Sequence, residues 1–485
     1  MSDAVAQARA DWQRWRHWSV AGRVRLLRAL RLEIVARLDE IVHAVAEPFG
    51  KPAVEVLLND VLPTLELINY YERHAARILR AQRRPATFLF QRARFHVEYQ
   101  ARGVVLVLAP LNLPLQLAFE PIVTAFAAGN AVICKLSEHT PGMVALFSDL
   151  FARAGFPPGA VRFETGGPEV GERLVRARPD LVFLTGGSAT GKRVMALAAE
   201  NLTPVILELG GKDPLLVFAD APFERAVAGA VYGAFANAGQ ICVAAQRVYV
   251  QRAIFARFVD AVVGQVEALR LAPTPEADLG SLATDAQAAR FEALIDDAVK
   301  KGATLHTRHA VTGRRAAPVV LTGVTPAMRI LREETFGPAM PIIPFDTEEQ
   351  AIELANDSAF GLNGSVWTGD LARGARIASR IEAGSVAVND VMKNIGNPHL
   401  PFGGIKGSGM GVYHGPEGLR AFCRPLAVMV NPSRAPREPN WFPYTLGKRG
   451  QLETMIAFLY SDASWLERLR LFVKLRAFGF GAEAP

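Results

Sequence analysis

From about residue 100 the chain alternates short apolar runs with longer segments of mixed polarity, a rhythm that predicts strand, helix, strand, helix. Gly103 to Ala109 reads Gly-Val-Val-Leu-Val-Leu-Ala, the continuous β-rich run of a strand covered on both faces. A helical stretch is expected from about Leu115 to Ala128, and Gly129-Asn130 then turns the chain into a second strand, Ala131 to Lys135. Thr140 and Pro141 suit the N-cap and first turn of the next helix. Leu181 to Leu184 is another strand and runs into Thr185-Gly-Gly-Ser-Ala-Thr-Gly-Lys192 and a helix; Pro204 to Glu208 closes the series. This order implies a doubly wound α/β domain whose ligand lies beyond the carboxyl ends of its strands.

A second α/β pattern runs from about Gly210 to Asn389, with a helix around Glu224 to Ala236 and strands at Arg247 to Val250 and Gly384 to Asn389. Arg92 to Tyr99 alternates polar and apolar residues outside that order and is expected in a separate small sheet. Pro432 to Pro443 is Pro-rich and reads as a linker. Val104 to Phe119 is uncharged, but Pro110, Asn112 and Pro114 interrupt it and Glu120 ends it, so it does not read as a membrane span. The first 38 residues, with Trp12, Trp15, Trp18 and many arginines, lack the apolar segment of a secretory signal and suggest an amphipathic helix.

Composition narrows the function. With 485 residues, half of them hydrophobic, the chain should fold as two or three globular domains. The net charge of +7 is thin over that length, and no arginine-rich arm or zinc spacing accompanies it, so nucleic acid is not an expected partner. Cys134, Cys242 and Cys423 are too few and too scattered for a disulfide framework or a structural zinc site, which points to a reducing compartment and no metal.

Three short segments carry chemistry. In Asn237-Ala-Gly-Gln-Ile-Cys242 a cysteine set after Gly239 at a helix end can present its sulfur to a cleft. A nucleophilic role would require the site to lower the thiol pKa; a structural cysteine is the plainer reading of the segment alone. Glu208-Leu-Gly-Gly-Lys212 puts a carboxylate at a strand's carboxyl end, where it serves either as general base or as a partner to nearby backbone donors. In Ala109-Pro-Leu-Asn-Leu-Pro-Leu115 two prolines hold Asn112 past another strand, where its amide either donates to a developing oxyanion or merely fixes the turn.

Taken in order, these segments resemble the aldehyde dehydrogenase superfamily, in particular its class 3 branch and the coniferyl-aldehyde type within it. The resemblance spans roughly residues 15 to 430 and rests on Leu113 to Gln116, Leu207 to Lys212, Gly239 to Cys242, Glu333-Glu-Thr-Phe-Gly-Pro338 and Pro401 to Gly404. Asn201 to Val205 and Ser408 to Gly415 favour the class 3 branch. It implies a Rossmann-type NAD-binding domain (residues 1–80 and 102–208) and an α/β catalytic domain (209–388). Segments 81–101 and 389–430 would form a small oligomerisation sheet, and 431–485 a C-terminal tail. It also implies oxidation of an aromatic or medium-to-long-chain aldehyde to the acid through a thiohemiacetal and a thioester on Cys242. Asn112 and the Cys242 backbone N–H would hold the oxyanion, and Glu208 would activate the hydrolytic water. Lys135 and Glu138 would take the adenosine ribose, Gly186 and Gly187 would lie near the pyrophosphate, Gly167 would also bind the cofactor, and Glu334 and Phe336 would contact the nicotinamide half. A glutamate on the ribose favours NAD, with NADP still admissible. Leu111, Leu136 and Gly187 depart from the family's pattern at the cofactor's edge, and Lys406 varies on the branch's pattern at the surface.

Alternatives are a relative that passes its thioester to coenzyme A, which a hydrolytic Glu208 disfavours, and a non-catalytic protein that keeps the fold. The resemblance further implies a homodimer and a cytoplasmic enzyme. In the tail, Trp465, Leu466, Leu469, Leu471, Phe472, Val473, Leu475 and Phe478 interleave with Arg468, Arg470, Lys474 and Arg476. That mixture suits peripheral membrane contact, a partner subunit, or a guard over the substrate entrance.

Overall fold

The computed structural model describes residues 4–477 apart from 88–89, 91–92, 272–275 and 439. Met1, Arg92, Phe478 and the last residues of the tail lie outside that set. Two compact units divide the chain: Met1–Gln82 with His96–Val428, and Arg83–Phe95 with Met429–Pro485.

The first unit holds two large sheets. One contains β1 (Val104–Leu108), β2 (Ala131–Leu136), β3 (Val161–Thr165), β4 (Leu181–Thr185) and β5 (Val205–Glu208). The helices between them are α1 (Gln116–Ala128), α2 (Gly142–Arg153), α3 (Pro168–Arg176) and α4 (Ser188–Ala199). The second sheet takes β6 (Asp213–Val217), β7 (Ala245–Gln251), β8 (Thr304–Leu305), β9 (Val319–Thr322), β10 (Ala339–Phe345), β11 (Asn363–Trp367) and β12 (Ser385–Val388). A last short strand, β13 (Gly409–Met410), returns to the first sheet. The first sheet runs β13-β5-β4-β1-β2-β3 and the second β8-β9-β10-β7-β6-β11-β12.

The five long strands of the first sheet are parallel, and β13 is antiparallel on β5. Every residue of β1 is buried, as its unbroken apolar run requires. Register aligns the carboxyl ends: Leu108 faces Lys135 and Leu184, and Thr185 faces Glu208. Strand order reverses between β1 and β4, so the loops after Leu108 and Thr185 open on the crevice where such sheets bind ligands.

Two sequence expectations are refined. The N-terminal segment is two helices, Ala4–Trp12 and Val20–Ala36, the second capped by the Ser19 side chain accepting from the Gly22 N–H. The alternating segment is the strand Arg94–Ala101, which sits in a three-stranded sheet between Gln82–Arg84 and Cys423–Val430, outside both large sheets. In the second unit the tail forms helices Leu446–Tyr460 and Trp465–Ala477. Among the described residues no helix is long and apolar enough to cross a membrane.

Candidate active site

Cys242 follows the helix Phe223–Phe235 after a tight turn in which Asn237, Ala238 and Gly239 all have left-handed backbone, with φ of 52°, 53° and 71°. Such a run is costly for an alanine, about 1–2 kcal/mol, so surrounding contacts must hold it. A Cβ on Gly239 would stand 2.3 Å from the Gly337 carbonyl, which is why this position admits only glycine. Cys242 is a free, partly exposed cysteine; Cys134 and Cys423 are buried.

The loop after β1 carries Asn112 to this turn. The Asn112 side chain is 6% exposed, and its Nδ2 donates to the Gln240 carbonyl at 2.9 Å, two residues before Cys242. One of its two amide hydrogens is thus engaged, and the other remains to serve an oxyanion. Glu208, at the end of β5, is 4% exposed, and neither carboxyl oxygen has a hydrogen-bond partner. Burial therefore pushes its pKa well above the usual carboxylate range.

Gly210 and Gly211 explain themselves in three dimensions. A Cβ on Gly210 would stand 2.3 Å from a Glu334 oxygen, and one on Gly211 would stand 2.2 Å from the Cys242 carbonyl. The Gly211 N–H donates to Glu334 Oε1 at 3.2 Å. The pair thus lets the segment after Glu208 pass between the second carboxylate and the cysteine. Burial raises the Glu334 carboxyl to about 7, even though the Gly211 N–H and the positive charge of Lys212 draw it down.

One expectation fails. The Cys242 thiol is not acidified: burial pushes its pKa up, and the nearby carboxylates of Asp213, Glu334 and Glu208 push it further. The Cys242 backbone N–H draws the thiol the other way, and burial outweighs it.

Residues expected to hold the ribose and pyrophosphate line the carboxyl edge of the first sheet. Lys135 ends β2 with its Nζ 3.5 Å from Glu138 Oε2. Gly167 is the N-cap of α3, and Gly187 the N-cap of α4. A Cβ on Gly187 would meet nothing within 4 Å, and the buried Thr185 hydroxyl has no hydrogen-bond partner. An uncrowded helix N-cap and an orphaned hydroxyl just before it suit a pyrophosphate. The Gly186 N–H is spent on the Glu208 carbonyl at 3.0 Å, which makes it a link between the two regions rather than a free donor. Phe336 has left-handed backbone (φ 47°), and its carbonyl accepts from Gln287 Nε2 at 2.7 Å. The structure thus brings Cys242, Asn112, Glu208 and Glu334 together and sets Lys135, Glu138, Gly167, Gly186 and Gly187 along one sheet edge. Among the described residues no His, Cys, Asp and Glu cluster of three could hold a metal ion.

Lys212 escaped notice as more than a motif letter. It is fully buried, and its Nζ donates to Gln246 Oε1 at 3.0 Å and Thr335 Oγ1 at 2.8 Å. It ties the segment that carries Glu334 to the strand that follows Glu208. Only its position in Glu-Leu-Gly-Gly-Lys hinted at this, since a lysine in sequence reads as surface.

Comparison with known proteins agrees with this geometry. The model of the aldehyde dehydrogenase family matches residues 1–428. The chain is similar to the 4,4'-diapolycopene aldehyde oxidase of a Methylomonas species, at 43% identity over 94% of this chain and 86% of that protein. It is 36% identical to the "Probable coniferyl aldehyde dehydrogenase" of Pseudomonas aeruginosa, covering 84% of this chain and 86% of the other. Among solved structures, it is similar to a Mycobacterium tuberculosis aldehyde dehydrogenase complexed with NAD+. The TM-score there is 0.84 at 32% identity, over 89% of this chain and 90% of that one. A Staphylococcus aureus betaine aldehyde dehydrogenase in complex with NAD+ superposes with a TM-score of 0.85 at 30% identity, over 91% and 88% of the two chains.

Proposed function

The chain belongs to the aldehyde dehydrogenase family, and on that premise we propose that Cys242, Asn112 and Glu208 oxidise an apolar aldehyde, aromatic or medium-to-long in chain, to its carboxylic acid. The observation that carries this reading is the unpartnered, buried Glu208 carboxyl beside a cysteine turn to which the Asn112 amide is tied. The Cys242 thiol passes its proton to water, and Sγ adds to the carbonyl carbon while the carbonyl π pair moves onto the oxygen. The remaining Asn112 amide hydrogen and the Cys242 backbone N–H hold the oxyanion of the thiohemiacetal. NAD, when bound, is the hydride acceptor. Glu208 then takes a proton from the water that hydrolyses the Cys242 thioester, releasing the acid and the free thiol.

In this reading residues 1–80 and 102–208 form the NAD-binding domain and 209–388 the catalytic domain, with 81–101 and 389–430 bridging subunits of a homodimer. Lys135 and Glu138 take the adenosine ribose, Gly167, Gly186 and Gly187 border the pyrophosphate, and Glu334 and Phe336 border the nicotinamide. The names of the relatives, one acting on a long polyene aldehyde and one on an aromatic enal, favour an extended conjugated substrate. Coniferyl aldehyde, benzaldehyde, hexanal, decanal and a polyene aldehyde, each tested with NAD and with NADP, decide the matter. We expect NADH formation with the highest kcat/KM on the conjugated or longest substrates; no NADH from any of the five would defeat the assignment.

We place the enzyme in the cytoplasm with peripheral membrane contact through its tail. Supporting this, Trp465, Leu466, Leu469 and Val473 are each at least half exposed on a helix that also carries Arg468, Arg470 and Lys474. A full chain should co-sediment with anionic vesicles more than one ending at residue 430, and the excess should fall as salt rises. Equal sedimentation of the two would refute the contact.

A further inference from the structure

We propose that Lys51, Glu55 and Asp60, on the N-terminal helical segment, are positioning residues that brace both halves of the catalytic centre, the Asn112 loop and the Asn237–Cys242 turn. The inference rests on the reading of Asn112 and Cys242 given above.

Lys51 is buried, its Nζ donates to the Asn112 carbonyl, and it stands 3.6 Å from a fully buried Asp60 carboxylate. The other Asp60 oxygen accepts the Leu115 and Gln116 N–H groups at 3.0 and 3.3 Å, fixing the start of α1 just past Asn112. Asp60 lies in the π-helical turn Leu57–Val61. That wider winding inserts an extra residue and re-aims the side chain, a local cost usually met at functional sites. One turn earlier, Glu55 Oε1 accepts the Asn237 backbone N–H, the first residue of the left-handed run. The Asn237 side chain closes the circuit by donating to the Asn112 and Gln240 carbonyls, both at 3.1 Å. The carbonyl of Asn112 therefore receives a lysine ammonium and an asparagine amide, while its side chain faces Gln240. A buried cation, a buried carboxyl and a second carboxyl with one oxygen shielded from solvent are expensive to keep in a protein interior. Here all three converge on the backbone of the two elements that carry the nucleophile and the oxyanion donor. The Glu55 carboxylate stabilises the turn at the point where Ala238 is forced into left-handed backbone, and Lys51 and Asp60 lock the orientation of the Asn112 amide.

Lys51→Met combined with Asp60→Asn removes the pair without leaving an unmatched charge, and the new amide oxygen can still accept from Leu115 and Gln116. We expect kcat to fall roughly 10- to 100-fold, the cost of an ångström-scale misplacement, with KM for NAD within about twofold of wild type. Iodoacetamide labelling of Cys242 should proceed at the wild-type rate, because alkylation does not use the oxyanion donor and the other two cysteines are buried. Glu55→Ala should lower kcat and also change the labelling rate, and Glu55→Gln, which keeps an acceptor oxygen, should recover most of both. If the double variant does not fold, the Glu55 pair decides alone. Wild-type kcat and labelling in folded Glu55→Ala, or wild-type kcat in the folded double variant, would overturn the brace while Cys242→Ala remains inactive. An active Cys242→Ala would instead defeat the underlying assignment of the site.

Discussion

Cys242→Ala should lose turnover by roughly 10⁴-fold or more while binding NAD with nearly wild-type affinity, as read by NADH formation and by titration of the dinucleotide. The size follows from the role: without the sulfur there is no covalent capture, and no other buried group in the cluster is a nucleophile toward a carbonyl. Binding should be spared because the residues proposed for the ribose and pyrophosphate, Lys135, Glu138, Gly167, Gly186 and Gly187, lie at or just past the ends of β2 to β4, in the other sheet from the strand that follows the cysteine turn. The resting thiol adds a second reading of the same site. Burial and three carboxylates raise its pKa, so iodoacetamide should modify the free enzyme slowly at pH 7 and faster as pH rises. A nucleophile pre-ionised at neutral pH would show a rate flat across that range. Retained turnover in the alanine variant would remove the mechanism altogether.

How far the site was legible beforehand depends on how local each feature is. The strands ending at Leu108, Lys135, Leu184 and Glu208 could be read because a strand buried on both faces has an unbroken apolar run, which needs no partner to be recognised. Asn112, in the loop after Leu108, and Glu208, at the end of its own strand, follow from those ends. Backbone strain did not: Asn237 is a residue that tolerates left-handed φ, but nothing in Ala238 announces it, and the turn exists because Glu55, 182 positions earlier, holds its first amide. The sign of the thiol shift is equally non-local. Glu334 and Asp213 lie far from Cys242 in sequence, and the passage of Gly210 and Gly211 brings their carboxyl groups near the sulfur. Nothing local marks Lys51 and Asp60, because only the fold buries them against the Asn112 loop.

Glu208→Gln should separate the two halves of the reaction. If Glu208 activates the hydrolytic water, the variant still captures and oxidises the aldehyde once. Rapid mixing should then show an NADH burst close to one per active site, followed by a steady rate reduced roughly 10²- to 10⁴-fold. Acid quench should trap the acyl group on Cys242. The pH dependence has a definite sign. A base must be unprotonated, and burial raises the Glu208 pKa, so steady turnover of the wild type should fall as pH drops through that raised value, and the residual rate of the glutamine variant should lack this limb. Stability should move the opposite way. A carboxyl whose folded-state pKa lies above its unfolded value favours the fold at low pH and costs stability as pH rises through the folded value. Glu208→Gln should therefore melt higher than the wild type at alkaline pH and converge with it toward acid, the mark of a site that trades stability for an unpartnered base. The rival for the role is Glu334, also buried and raised to about 7, but its carboxylate already accepts the Gly211 N–H and is less free to receive a water proton. A steady rate in Glu208→Gln as fast as its burst, together with a stalled acyl-enzyme in Glu334→Gln, would transfer the base to Glu334.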